Sequence, residues 1–320
     1  MARILAIGGA HIDRTGRLDA AHRPGASNPG HWESVPGGGV FNAARNLARL
    51  GHQVTLVSPR GGDAEAELVA AAAVTAGLED CPLTFLDRAT PSYTSILEPD
   101  GNLVTALADM ALYDLIPARR LLTSRFKARL EKSDLVLADA NLPESALTAL
   151  AEAAHARGIP VAAIAVSPAK VVRWKPGLKH LSLLAMNSAE AATLTGLLSA
   201  PLSGEGAEHP TNLQQALASI GLASGLISAG AGPVLAFGMD GSLTLAPPPL
   251  EHVSDVTGAG DALASGYLDG LLAGGSMQDN LTRGIALARL TASVRGPVRT
   301  DLSPELLARA LEAMPKPTQH

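Results

Sequence analysis

Cysteine is almost absent. The single Cys81 in 320 residues leaves no partner for an internal disulfide. That fits a reducing, cytoplasmic setting, and Cys81 itself reads as a small core residue. Long apolar runs are missing too: no stretch is long and unbroken enough to span a bilayer. The opening MARILAIGGAH lacks the apolar core and cleavage site of a signal peptide. Nor is positive charge in excess, with 25 Lys and Arg against 30 Asp and Glu, a net charge of −5. A general nucleic-acid or membrane-surface role is therefore unsupported, and a small anionic substrate would need a local positive site. What the chain does have is 47% hydrophobic and only 17% charged residues, enough for a sizeable core and incompatible with global disorder. The length admits one large α/β domain or two ordinary ones.

Short β-branched runs alternate with Ala/Leu-rich helical patterns. ILAIG (4–8) precedes FNAARNLARLG (41–51), and VTLVS (54–58) precedes AEAELVAAAAVTAG (64–77). LVLAD (135–139), a helix near 144–157, VAAIAV (161–166), SLLAMN (182–187), GLISAG (225–230) and VLAFG (234–238) continue the rhythm. Continuous rather than alternating apolar strands imply that helices cover both faces of a mostly parallel sheet. The fold class is a three-layer α/β domain. Two segments break the pattern. Residues 14–35 are polar and rich in Gly, Pro and His, and 84–107 places SYTSIL and NLVTAL around the turn EPDG, a β-hairpin outside the main sheet. SAPLSGEGAEHP (199–210) reads as a surface loop and the final PKPTQH as frayed.

Glycine is where chemistry is written. DVTGAGD (255–261) sets Gly258, Ala259 and Gly260 at the mouth of an apolar helix, where free N–H groups and the helix dipole favour an anion. Asp261 in that first turn is either a cap or a general base. PGGGVFNAARNLARLG (36–51) is a second glycine cluster entering a helix; Gly38 and Gly39 let a hydroxylated ligand lie on the backbone, and Asn42 both donates and accepts. Asp13 stands just past the first strand, where α/β sheets collect ligands, and its carboxylate suits a sugar diol.

Together these stretches resemble the ribokinase-like (PfkB) family of carbohydrate and nucleoside kinases, from Gly8 to about Arg295, with NSAE (187–190) matching a family Asn-x-x-Glu motif. The resemblance implies an α/β kinase domain at 1–13, 36–83 and 111–320 and a β-lid at 14–35 and 84–110. It implies Asp261 as catalytic base, and the Gly258, Ala259 and Gly260 amides as anion hole. Asp13, Gly38, Gly39 and Asn42 would hold the sugar. ATP would lie along Asn187, Glu190, Ser228, Gly230, Thr257, Gly258 and Gly260, with Glu190 placing Mg²⁺ through water. Asp255 and Thr257 lie where relatives build a monovalent-cation (K⁺) site; Val256 replaces the usual threonine between them, which leaves that cation open. With aromatics at only 3%, the adenine is expected against small and aliphatic residues near 286–292.

Within that family four stretches resemble the pseudouridine kinases: NPG (28–30), SYTSILEPDGNLVTALADM (92–110), DANLPESAL (139–147) and VSPAK (166–170). They carry Ser92, Asp109, Asn141 and Lys170 as further substrate contacts. The amide of Asn141, the ammonium of Lys170 and the carboxylate of Asp109 match the donors and acceptors of a uracil ring. Read from the residues alone, Asn141 equally suits a cap for the helix beginning near Pro143, and Lys170 a solvated surface position. The implied activity is ATP- and Mg²⁺-dependent phosphorylation of the pseudouridine 5′-hydroxyl by a homodimer paired through its lids. Another specificity in the family (ribose or adenosine) and a non-catalytic nucleoside sensor stand as alternatives.

Overall fold

A computed structural model of the chain describes residues 1–197, 210–239 and 241–314. The predicted loop at 199–210, apart from its last residue, and the PKPTQH end lie outside them. Strands follow in the order β1 (Arg3–Ile7), β2 (His11–Leu18), β3 (Gly30–Gly37), β4 (Gln53–Val57), β5 (Pro59–Gly61), β6 (Glu79–Asp80), β7 (Leu83–Phe85) and β8 (Ser92–Leu97). They continue as β9 (Leu103–Asp109), β10 (Leu135–Asp139), β11 (Val161–Ile164), β12 (Leu183–Asn187), β13 (Gly225–Ser228), β14 (Val234–Gly238) and β15 (Gly241–Leu245).

Among the described residues nine strands form one sheet in the order β15-β14-β13-β12-β11-β10-β1-β4-β6. Pairing is parallel from β6 to β13 and antiparallel only across β13-β14-β15. Strand alternation splits its apolar residues between two cores. Leu5, Ile7, Val136 and Ala138 meet Leu147, Trp174 and Phe126 on one side. Ile4, Ala6, Leu135 and Leu137 meet Val40, Phe41, Leu263 and Tyr267 on the other. Two cores on one sheet are the three-layer architecture. The chain leaves β1 for β4 on one side and returns to β10 on the other, so a topological switch point opens between β1 and β10.

A second, four-stranded sheet runs in the order β3-β2-β8-β9. The hairpin read from SYTSIL and NLVTAL is its β8–β9 half. Its other half, β2 and β3, runs through the polar segment 14–35, where the residue pattern marked no strands and the family resemblance alone grouped the segment with the hairpin. Leu83–Phe85 does not join this sheet; it pairs with β5. Asp13 is not in a loop after β1 but inside β2, beside Val35 of β3 and Tyr93 of β8.

Candidate active site

Two helices bring the site together. The helix Gly39–Arg49 begins at Gly38, whose φ of 114° and lack of side chain let it lie against the Gly9 carbonyl; a Cβ there would stand 2.4 Å from that oxygen. The helix Ala259–Leu272 begins at Gly258 (φ 74°), where a Cβ would stand 2.1 Å from the Pro297 carbonyl. Asp261 is thus the third residue of its helix and not the cap. Its Oδ2 accepts a hydrogen bond from Asn42 Nδ2 at 2.8 Å, joining the two helix mouths. Its Oδ1 lies on the side of Gly39, 3.4 Å from where a side-chain carbon of that residue would stand. Asp261 keeps an exposed edge, yet protein encloses it deeply enough that desolvation raises its pKa to about 7, reinforced by Asp139 and Asp13 and opposed by Asn42 and Arg45.

Around this carboxylate a cleft of about 200 Å³ is lined by Ile164, Val166, Asn187, Glu190, Ser228 and Gly260, among others. The amides of Gly258, Gly260 and Asp261 have no acceptor among the described residues, whereas the Ala259 amide donates to the Val256 carbonyl at 3.2 Å. Of the three amides expected to meet an anion, those of Gly258 and Gly260 are thus unpaired, the Ala259 amide closes a turn, and the Asp261 amide lies unpaired beside them. Val166 is the one non-glycine residue among those described with positive φ, at 71°. For a β-branched side chain this is strain, on the order of 1–3 kcal/mol, held at the cleft wall.

On the nucleotide side, Asn187 and Ser228 are neighbours across β12 and β13. Asn187 and Glu190 form a reciprocal capping box: Asn187 Oδ1 accepts from the Glu190 amide at 2.9 Å, and Glu190 Oε2 from the Asn187 amide at 2.7 Å. Burial raises the Glu190 pKa. Among the described residues no group of three or more His, Cys, Asp or Glu side chains is placed to hold a metal ion. Mg²⁺, which usually keeps several waters and binds through substrate phosphates, fits such a site, with Glu190 Oε1 left outside the box. At the position expected for a monovalent cation, Asp255 Oδ1 accepts from the Thr257 amide at 2.9 Å and Oδ2 from the Gly296 amide at 3.1 Å, so the carboxylate clamps the loop. Gly230 sits in a turn beyond β13 with a φ of 59°. Ala286 and Leu287, in the region expected to take adenine, are packed against Leu302 and Leu307.

On the acceptor side, Asp13 lies against Gly37, where a Cβ would meet its Oδ2 at 1.9 Å, and its Oδ1 is 3.3 Å from His11 Nε2. His11 Nδ1 in turn is 3.0 Å from the buried Tyr113 hydroxyl. Ser92 and Asp109 are paired with each other and with Ile12 in register, so strand alternation puts them on the face opposite Asp13; Tyr93 shares Asp13's face instead. Asn141 is 1% exposed and does not cap the helix after Pro143. Its Nδ2 donates to Asp139 Oδ2 at 3.0 Å, and its Oδ1 accepts from Lys170 Nζ at 2.6 Å. Burial lowers the Lys170 pKa, against the opposing pull of Asp139.

Two residues that sequence reading passed over complete the site. Asp139, fully buried at the end of β10, accepts from the amides of Gly9, Val40 and Asn141 as well as from Asn141 Nδ2. Its place in DANLP, at a strand end beside the switch point, was the available signal. Arg45, one turn after Asn42, donates to Asn42 Oδ1 at 2.6 Å and to the Pro36 carbonyl at 2.8 Å. Desolvation, with Arg49 nearby, lowers its pKa to about 10, so it stays charged at neutral pH.

The family model for pfkB family carbohydrate kinases matches residues 1–303. The chain is a pfkB-family kinase. Such a kinase is a phosphotransferase acting on a sugar or nucleoside. This kinase is 31% identical to the pseudouridine kinase of Escherichia coli (strain K12) over 273 residues, 84% of each chain. It is 47% identical to a carbohydrate kinase from Agrobacterium tumefaciens whose solved structure covers 99% of both chains with a TM-score of 0.87. The fold also matches the Arabidopsis thaliana ribokinase solved with ribose and ATP, at a TM-score of 0.83, 19% identity and 98% and 99% coverage. Among the described residues, no helix is long and apolar enough to cross a membrane.

Proposed function

We propose that this kinase transfers the γ-phosphoryl group of ATP to the 5′-hydroxyl of pseudouridine. The observation that carries the reading is Asp261, partly desolvated at a helix mouth with unpaired amides beside it and facing the Gly37–Gly39 turn. Its ionised carboxylate takes the hydroxyl proton as the oxygen–phosphorus bond forms. The bond from the γ-phosphorus to the bridging oxygen breaks, and ADP leaves with the electron pair. The transition state is loose, so alignment and charge neutralisation by the Gly258, Gly260 and Asp261 amides do most of the work. Mg²⁺, arriving with ATP and held near Asn187 and Glu190, would neutralise phosphate charge.

Asp13 and the Gly37–Gly39 backbone suit the ribose hydroxyls. The likeness to a pseudouridine kinase supports a nucleoside acceptor. Lys170 retains donors beyond its bond to Asn141 and can meet a ring carbonyl, and Tyr93, 37% exposed on Asp13's face, offers a ring to stack. Asn141, with both ends of its amide engaged, supports Lys170. The lid also carries Trp32 (62% exposed) and Leu107 (69%) on its face away from Asp13, an apolar surface suited to pairing with the lid of a second copy. Light scattering that finds a dimer, and a monomer for Trp32→Glu, checks that pairing.

ADP release measured against pseudouridine, uridine, ribose and adenosine tests the acceptor. Pseudouridine is expected to give the highest kcat/KM. A tenfold preference for ribose or adenosine would move the kinase to another specificity within the family, and absence of turnover with every acceptor would favour a nucleoside sensor.

A further inference from the structure

We infer that Arg45 is a positioning residue that fixes which oxygen of Asp261 accepts the substrate proton; the inference rests on Asp261 being the base. The argument is one of hydrogen-bond polarity. A guanidinium only donates, so the Asn42 atom facing Arg45 at 2.6 Å has to be its carbonyl oxygen. Asn42 then necessarily turns its NH₂ group toward Asp261 Oδ2, at 2.8 Å. Reversing the Asn42 amide would set N–H against N–H at Arg45 and oxygen against oxygen at Asp261. Oδ2 is thereby engaged, and Oδ1, on the Gly39 side and without a donor among the described residues, is the atom left to take a proton.

Arg45 is itself held from three sides. The same terminal nitrogen donates to the Pro36 carbonyl at 2.8 Å, its guanidinium carbon lies 4.4 Å from the centre of the Phe41 ring, and only 8% of its surface is exposed. Pro36 belongs to β3 of the lid, so the lid strand, Arg45, Asn42 and the base form one continuous hydrogen-bonded line. The charged groups facing Asp261 are Arg45 from the Gly39–Arg49 helix, Asp139 from β10 and Asp13 from β2, with Glu190 lining the same cleft. Arg45 is the cation among them, and it acts through Asn42 without touching substrate.

The test is the pH dependence of turnover with whichever alcohol the wild type phosphorylates. Arg45→Met, which keeps length and packing on Phe41, is expected to lower kcat about 30- to 100-fold while the acceptor KM stays within about threefold. The acid limb of its kcat profile should rise by about one pH unit, chiefly because the carboxylate loses its oriented donor. Asn42→Ala should show the same limb, and in that background Arg45→Met should cost less than about twofold more. ATP affinity by calorimetry confirms that each variant is folded, and Arg45→Lys, which retains the charge, should fall between wild type and Arg45→Met. An unshifted acid limb in Arg45→Met, or fully additive losses in the double variant, overturns the inference. A wild type that phosphorylates no alcohol at all overturns the kinase reading instead.

Discussion

Two carboxylates stand at the same switch point and are treated in opposite ways. Asp139 is saturated: the amides of Gly9, Val40 and Asn141 and the Asn141 side chain all point at it. Asp261 is nearly free of donors, with Asn42 as its single side-chain donor among the described residues. A carboxylate surrounded by fixed donors holds loops together and has little capacity left for a ligand. One that is desolvated with an oxygen to spare can take a proton near neutral pH. Asp139 gathers the ends of β1 and β10 and the start of the Gly39–Arg49 helix, and so builds the cradle in which Asp261 sits.

That contrast is open to direct attack. Asp261→Asn should lower kcat about a thousandfold with ATP affinity nearly unchanged, measured by steady-state kinetics and calorimetry. A variant with wild-type turnover would remove Asp261 as the base. Asp139→Ala should act chiefly on the fold: buried amides lose their acceptor, at a cost of about 3–5 kcal/mol in chemical denaturation. If Asp139→Ala is as stable as wild type but inactive, the two carboxylates have been assigned the wrong way round. With Asp261 near pKa 7 and active when ionised, kcat should fall about tenfold per unit on going below pH 7 and level off above it. The smallest effect is expected at Tyr93: Tyr93→Ala should raise the nucleoside KM about three- to tenfold and leave ATP untouched, as loss of one stacking surface would.

Much of this was legible beforehand, for identifiable reasons. Strands such as LVLAD and VLAFG, buried on both sides, show as unbroken apolar runs, and the observed bounds Leu135–Asp139 and Val234–Gly238 coincide with them. The glycine-led helix entries marked Asp261 and Asn42. Strands β2 and β3 were reached only through the family resemblance, because one face of each is largely polar and Gly16 interrupts the pattern where Trp32 crosses it. The face on which Ser92 and Asp109 fall depends on register with β2, which no local pattern carries. Arg45 lies on a helix where arginine ordinarily reads as a solvated residue; only tertiary packing buries it. The Ala259 amide closes a turn, and a Gly-Ala-Gly string cannot reveal which of its N–H groups is already in use.

Burying Asp261 also sets the protein's comfort against its work. Between the carboxylate's ordinary value, 3.8, and about 7, the folded molecule keeps a proton that the unfolded chain has released. As far as this one group is concerned, resistance to unfolding declines as the solution is made more alkaline across that window, while, with Asp261 as the proposed base, turnover is expected to climb. A preparation stored slightly acidic and assayed slightly basic would meet both demands.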